Sequence, residues 1–409
     1  MAKKALVLAG GFPQIALLKE LNSRGICTVL ADYYANPVAK PYADNFFQVS
    51  TLDVEAITKL AKEQKVDFLI TACTDQALLT VARVSEILGL PCYIDYQTAL
   101  NVTNKQYMKK VFVENNISTA KHVIMAELDT TKIDNMSYPL IVKPVDCNSS
   151  KGVKKVENLE ELKQAFDIAV KLSRTDTAIV EEFIDGEELS VDVYVEDGIA
   201  HVLSVSSLDK IANNDKFVIF RGRYSSEKVE AVYELVRGIA QQIADAFGLK
   251  NSPMLIQMIT DGKRAFVLEF SARTGGGIKF LLIKKSSGFD VISAVVDLTL
   301  GNKPHVQKAI PENKYIVNDF IYCKPGKFDH LEGFEALKTE GVISDYYLFK
   351  WSGAEFDTIE NSGDRIAGFT VQADSVEDLN RKHIEAVARI QVLDDKGNDM
   401  TRRDLLTNL

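Results

Sequence analysis

The sequence predicts a protein that is part α/β and part α+β: a parallel α/β domain first, then a two-lobed body, then a β-rich C-terminal lobe. Three observations predict it. The first hundred residues alternate continuous apolar runs with amphipathic helical stretches, the βαβ pattern of a parallel sheet covered on both faces. After Asn115 and Asn116 the texture changes to short β-type runs with few helices between them. The chain has 409 residues, enough for two or three domains at about 150 residues each.

Taken in order, residues 4–9 form an apolar run suited to a buried parallel strand. Ile15, Leu17, Leu18 and Leu21 follow at helical spacing, and Gly25 stands where a helix C-terminus favours glycine. Residues 26–31 and 66–71 predict further strands, and residues 53–64 and 76–88 predict helices, the second closed by Gly89. Gly10 and Gly11 lie at the first strand-to-helix turn. Without the full GxGxxG pattern they read as a tight turn rather than a dinucleotide site. The string TNKQ at 103–106 has the form of a capping box opening a helix with Met108, Val111 and Phe112 on one face. Strands are expected at 122–125, 140–143, 178–182, 189–196 and 199–206, with a helix at 159–172. A long amphipathic helix carries Val229, Val232, Tyr233, Val236, Ile239, Ile243 and Phe247 and ends at Gly248. Residues 254–260 and 265–270 read as a hairpin around Asp261 and Gly262. A β-rich stretch begins near Pro304, and a helix at 376–390 closes it. The boundaries expected are 1–103, 104–300 (lobes of about 118–186 and 187–300) and 301–409.

Composition narrows the function. Apolar residues make up 46% and charged residues 26%, near the soluble globular average, so no disulfide or metal staple is required. Lys and Arg number 48 against 57 Asp and Glu, a net charge of −9. That balance argues against nucleic acid or an anionic membrane surface as partner, while leaving room for a local basic pocket. Cys27, Cys73, Cys92, Cys147 and Cys323 are an odd number, far apart and without a CxxC, and read as reduced thiols of a cytoplasmic protein. The apolar run near Met1 is too short for a signal peptide, and no stretch reads as a membrane span. GxxxxGK[ST], HExxH and GxSxG are absent, and no two of the five histidines stand at ligand spacing.

Four features remain. The string YPLIVKP at 138–144 precedes NSSKGV at 148–153. Lys143 ends an apolar strand, and the small polar loop offers N–H groups and hydroxyls that suit phosphate oxygens; the pair reads equally as a hairpin with a surface lysine. The string VEEFIDGEEL at 180–189 is either a solvated acidic turn or an adenine-holding strand edge, with backbone at Glu182 and Ile184 reading the base and Glu188 accepting from ribose hydroxyls. In FVLEFSAR at 266–273, strand alternation puts Val267, Glu269, Ser271 and Arg273 on one face and Leu268 and Phe270 toward the core. Two oxygen ligands beside a cation suit magnesium and a phosphoryl group. Thr274 and the glycines Gly275, Gly276 and Gly277 come next, more conformational freedom than a simple connection needs.

In this order the features resemble the ATP-grasp superfamily of carboxylate–amine ligases, over essentially the whole chain. The resemblance implies a preliminary α/β domain, a two-lobed ATP-grasp body and a C-terminal lobe like that of biotin carboxylase. The string EFSARTGGG at 269–277 most resembles ligases that join unprotected amino acids into dipeptides. By that resemblance Lys105 and Lys143 reach the nucleotide phosphates, and Asn148, Ser149, Ser150 and Gly152 belong to a mobile phosphate-covering loop. Glu181, Glu182, Phe183 and Ile184 form the adenine-reading linker, and Glu188 is the ribose acid. Gln257, Glu269 and Ser271 match metal ligands, although the family usually has Asn where Ser271 stands. Arg273 stabilises the transferred phosphoryl group, with Gly275, Gly276 and Gly277 at the substrate.

The family implies ATP with Mg2+ (or Mn2+), small-molecule carboxylate and amine substrates, an acyl phosphate intermediate, and homodimers. It also leaves open a carboxyphosphate-forming enzyme of the biotin carboxylase or carbamoyl phosphate synthetase kind, a purine-pathway ligase, or a nucleotide-binding module without turnover. Lys210, Lys216, Arg221 and Arg223 are unranked candidates for a further basic contact, and Trp351 for a pocket or dimer contact. Asp75 reads as a helix cap. Two geometric expectations follow. Lys143, Glu188 and Glu269 must share one cavity. If the strands flanking Asp261 pair directly, Gln257 and Glu269 share a face only across a connection with an odd number of residues.

Overall fold

A computed structural model describes residues 2–147, 151–211, 217–307, 313–406 and 409. The expected fold class is the one found. The first domain holds β1 (Lys4–Leu8), α1 (Phe12–Ser23), β2 (Cys27–Asp32), β3 (Asn45–Gln48), α2 (Val54–Gln64), β4 (Phe68–Ile70), α3 (Asp75–Leu88) and α4 (Tyr96–Thr103). Its strands form a parallel sheet in the order β3-β2-β1-β4. β1 is wholly apolar because both faces are covered: Ala5 and Val7 pack with Leu17, Leu18 and Leu21, while Leu6 and Leu8 pack with Ile57 and Leu60. α2 starts at Val54 because the Asp53 side chain accepts from the Ala56 N–H, a true N-cap. β3 and α4 escaped the sequence reading: β3 has no apolar run, and α4 is only eight residues long.

Next come α5 (Lys105–Glu114), β5 (His122–Met125), β6 (Leu140–Pro144), β7 (Lys154–Val156), α6 (Leu159–Leu172) and β8 (Ala178–Glu182). The expected capping box does not form. Asn104 caps α5 by accepting from the Tyr107 N–H, while the Thr103 hydroxyl donates back to carbonyls of α4. The four strands make an antiparallel sheet, β5-β8-β6-β7, with α6 on one face. This small lobe has a core of its own, in which Met125, Leu140, Val142, Phe166 and Val180 meet.

The body follows: β9 (Glu187–Glu196), β10 (Ile199–Lys210), β11 (Ile219–Ser225), α7 (Ser226–Ala246), β12 (Ser252–Thr260), β13 (Ala265–Ser271), α8 (Lys279–Ser287) and α9 (Val291–Thr299). The C-terminal lobe adds β14 (Tyr315–Ile321), β15 (Gly326–Glu332), α10 (Phe334–Thr339), β16 (Asp345–Leu348), β17 (Glu355–Phe356), β18 (Ala367–Ala373), α11 (Val376–Arg389) and β19 (Gln391–Asp394). One antiparallel sheet crosses from body to lobe in the order β13-β12-β9-β10-β11-β14-β18-β16, so a boundary at residue 300 divides a continuous sheet. The N-terminal domain is equally joined to the body. Phe280, Ile283, Val291 and Val295 of α8 and α9 pack into the core that covers α1, and Arg24 donates to Asp297 at 2.7 Å and to the Ser293 hydroxyl at 2.7 Å. All five cysteines are free thiols. No described helix is long and apolar enough to cross a membrane.

Candidate active site

A crevice of about 800 Å3 opens between the small lobe and the body, and residues of all the domains line it. Strand alternation places its small-lobe wall. Leu140 and Val142 of β6 face the lobe's core, which turns Ile141 and Lys143 to the crevice. Glu182 ends β8 and Phe183 and Ile184 follow it along the crevice, while Glu188 enters from the start of β9. Lys105 is the first residue of α5, and its ammonium donates to the Cys147 carbonyl of the small lobe.

Two lysines close on one carboxylate behind this wall. Lys109 Nζ lies 2.7 Å from Glu181 Oε1 and Lys143 Nζ lies 2.5 Å from Oε2. Burial would raise the Glu181 pKa, but the two ammonium charges hold it down at about 2. Burial presses Lys109 down to about 8 against the pull of Glu181. With all three groups charged, the cluster carries one surplus positive charge beside the crevice. The Glu181 carboxylate is thus occupied by the two lysines. Lys109 was not anticipated. Its signal was a lone lysine on the apolar stripe of Met108, Val111 and Phe112.

The body wall carries Gln257 and Glu269, which are direct cross-strand partners on β12 and β13. The expected odd connection is not what brings them together. Four residues, an even number, separate Thr260 from Ala265, and a β-bulge between Val267 and Glu269 restores the parity. The same bulge corrects the predicted faces. Val267 joins Phe270 in the core, and Leu268 turns to the crevice beside Glu269. Glu269 Oε2 lies 3.1 Å from Lys105 Nζ. Burial raises the Glu269 pKa, but Lys105 and Lys143 outweigh it and keep the group ionised.

Asp75 and Ser271 depart from expectation together. Thr74, not Asp75, is the N-cap residue of α3. Asp75 instead forms a bidentate pair with Arg273, accepting from Nε at 2.8 Å and from Nη2. Despite burial, that guanidinium and a hydrogen bond from Ser271 draw the Asp75 pKa below its ordinary value. Ser271 is turned toward Asp75 and, unlike Gln257 and Glu269, does not line the crevice. Arg273 itself lines the crevice with Gly275, Gly276 and Gly277. Gly275 is required by close approach: a Cβ there would stand 2.8 Å from Lys279 Cγ and 3.2 Å from Asp192 Oδ1. Asp192 is buried on β9 with its pKa raised by burial to about 6, opposed by Lys279 at 3.6 Å.

Lys143, Glu188 and Glu269 all line the one crevice. Gly152 does not; it packs against Pro144 and Leu172. Asn148, Ser149, Ser150 and Lys216 lie outside the described residues. Of the other basic candidates, Lys210 lines the crevice, paired with Glu188 and 4.8 Å above the Phe217 ring. Arg221 is fully buried against Asp319 and His383, and Arg223 pairs with Asp209. Trp351 is exposed and off the crevice wall.

The arrangement fits a nucleotide-borne divalent ion. No cluster of three or more His, Cys, Asp or Glu that could cage a metal exists among the described residues. Glu269 and Gln257 offer one carboxylate and one amide oxygen on the same wall, facing cations that suit phosphates. Mg2+ is held that way when a substrate's phosphates supply the remaining oxygens.

Residues 136–280 match the ATP-grasp domain family. Formate-dependent phosphoribosylglycinamide formyltransferase of Prochlorococcus marinus is 28% identical over 188 residues, 45% of this chain and 48% of the relative, so that match spans about half of the curated protein. The solved L-amino acid ligase of Bacillus licheniformis is 19% identical with a TM-score of 0.79, covering 96% of this chain and 99% of that one. The biotin carboxylase domain of Hydrogenobacter thermophilus 2-oxoglutarate carboxylase, solved as a dimer with MgADP, ADP and bicarbonate, is 17% identical with a TM-score of 0.79, covering 99% and 93%. These structural likenesses show a shared fold.

Proposed function

We propose, from the premise that residues 136–280 carry an ATP-grasp domain, that the protein is an ATP-dependent carboxylate–amine ligase acting on an amino-acid substrate. The observation that carries this reading is the convergence of Lys105, Lys143, Gln257, Glu269 and Arg273 with a glycine run on one crevice. A substrate carboxylate oxygen attacks the γ-phosphorus of ATP, the bond to the β-phosphate oxygen breaks, and ADP leaves. The amine lone pair then attacks the acyl carbon, the acyl–oxygen bond breaks, and phosphate departs as the nitrogen gives up a proton.

Phosphoryl transfer asks the protein for alignment and charge neutralisation more than covalent help. Lys105 and Lys143 offset phosphate charge, and Glu181 holds Lys143 in place. Glu188, paired with Lys210, stands at the ribose end of the nucleotide, and Phe183 and Ile184 line the wall near its base. Asp75 fixes the plane of the Arg273 guanidinium, so that its remaining donors face charge developing on the transferred group. Glu269 and Gln257 would hold Mg2+, which supplies neutralisation of phosphate oxygens when bound. Walls supplied by every domain exclude water from an acyl phosphate that would otherwise hydrolyse.

The test is phosphate release over a matrix of paired amino acids and small acids, with mass analysis of the product. An ADP- and phosphate-forming reaction requiring both an acid and an amine is expected. Glu269→Ala should lower ATP turnover at least about 100-fold while the thermal unfolding curve is preserved. Bicarbonate-dependent turnover without an amine would favour carboxyphosphate chemistry, and full activity in Glu269→Ala would remove the assignment.

A further inference from the structure

The crevice also has a wall with different chemistry, built by the N-terminal domain and the C-terminal lobe rather than by the small lobe that carries Lys143. Three segments far apart in the chain build it. Phe12 opens α1, Phe320 lies on β14, and Phe349 follows β16. Their rings touch edge to face or at a tilt: Phe12 and Phe349 are 5.5 Å apart between centroids, and Phe320 and Phe349 are 6.1 Å apart. Behind them Ile278, Tyr322 and Tyr347 make a dry core. Over Phe320, 3.6 Å from ring centroid to Cζ, lies the guanidinium of Arg365.

Arg365 is held but not consumed. Nε donates to the Tyr322 hydroxyl at 3.1 Å, and Nη2 donates to the Ile219 carbonyl at 3.0 Å and to the Ser362 hydroxyl at 3.2 Å. Nη1 has no hydrogen-bond partner among the described residues. It lies 3.7 Å from the place a Cβ on Gly277 would occupy, beside the glycine run. Lys350 adds a second cation to this wall. This wall is therefore an apolar aromatic box with an anchored cation at its edge and, among the described residues that form it, no carboxylate.

We propose that this wall forms the acceptor pocket and that it takes an α-amino acid with a large apolar side chain. The side chain rests on Phe12, Phe320 and Phe349, and the carboxylate is received by Arg365 Nη1. This deepens the ligase reading and rests on it. A carboxylate anchored here is not the one activated, because Arg365 is fixed to Tyr322, Ile219 and Ser362, whereas Lys143 projects from the small lobe and Lys105 from α5; anchoring it leaves the amine to face the glycine run. Aromatic burial discriminates by side-chain size, and the guanidinium rejects an acceptor lacking the anion. An amine carrying a sugar phosphate shares the anion but has no apolar group to fill the box.

The test compares L-phenylalanine, L-phenylalaninamide, L-alanine and glucosamine 6-phosphate as amine against a panel of donor acids. Wild type is expected to favour phenylalanine over its amide at least tenfold in kcat/KM. Arg365→Gln should abolish that preference through KM for the amino acid while KM for ATP stays within twofold, and Arg365→Lys should restore part of it. Phe349→Ala should cut the preference for phenylalanine over alanine at least tenfold. Thermal shift of the wild type by phenylalanine but not by its amide gives a reading that does not depend on the variants folding. Equal losses for acid and amide in Arg365→Gln, or the aminosugar phosphate as preferred amine, would overturn the pocket while leaving a ligase. No amine-dependent turnover with any donor would overturn both.

Discussion

Glu181 bears two buried ion pairs at once, and the cost of losing it follows from that. Glu181→Gln leaves the wholly buried Lys109 and the nearly buried Lys143 without a compensating charge. Removing one partner of a buried pair costs about 3–5 kcal/mol, and denaturant unfolding at pH 7 should show a loss of that order. The pH dependence has a definite sign. With the folded pKa near 2 and an ordinary value of 4.5, the stabilisation is complete above about pH 4.5 and is lost as pH falls toward 2. The wild-type stability should therefore fall more steeply than that of the variant across this window. A cost under about 1 kcal/mol at pH 7 would show that the three charges do not act as a unit. At this scale Lys143 and Glu269, which line the crevice, stand in short local strings that single them out, whereas Lys105 was reached only through the family resemblance. Asp75 was not legible, because its partner Arg273 is 198 positions away. Nothing local distinguishes a helix cap from an acid reaching into another domain.

The hairpin of β12 and β13 shows what local pattern gives and where it stops. Both strands were legible from alternation and from the Asp261-Gly262 turn signal. The bulge was not, because one extra residue in a strand has no marker in an apolar run. Its consequence is large: it puts Gln257 opposite Glu269 and exchanges the faces of Val267 and Leu268. Deleting Leu268 should leave a regular hairpin with Val267 and Phe270 still inward and Gln257 still opposite Glu269. The thermal midpoint is then expected to move by only a few degrees, while KM for ATP rises about tenfold as an apolar crevice contact is lost. A collapse of the fold would mean instead that the extra twist is needed for the sheet itself. β11 was missed for a related reason: its run, IFRGRYS, carries two arginines, one of them paired with Asp319 in the neighbouring strand.

Across the whole molecule, the hydrophobic clusters divide the structure into a block and an appendage. The N-terminal sheet and the body share a core through α8 and α9, whereas the small lobe packs on itself. A nucleotide gripped by Lys143 on one side and Glu269 on the other should tie the appendage to the block. A non-hydrolysable ATP analogue with Mg2+ is expected to slow amide hydrogen exchange in β6 and β8 at least tenfold, with little change in β1 and β4. Uniform protection, or none, would contradict binding between the lobes. The order of βαβ units and the change of texture near residue 116 made the broad division legible. The merging of body and C-terminal lobe was not, because pairing between β11 and β14 is a long-range register that no composition shift announces.

That pairing matters to anyone who would build hybrids from this chain. Splicing a foreign tail on near residue 300 would strip β11 of its neighbour from Arg221 to Ser225 and leave a row of unmated amides and carbonyls. Such a fragment would stick to its own kind before it stuck to anything useful. A workable graft must carry β14, β18 and β16 along with the half it is meant to replace.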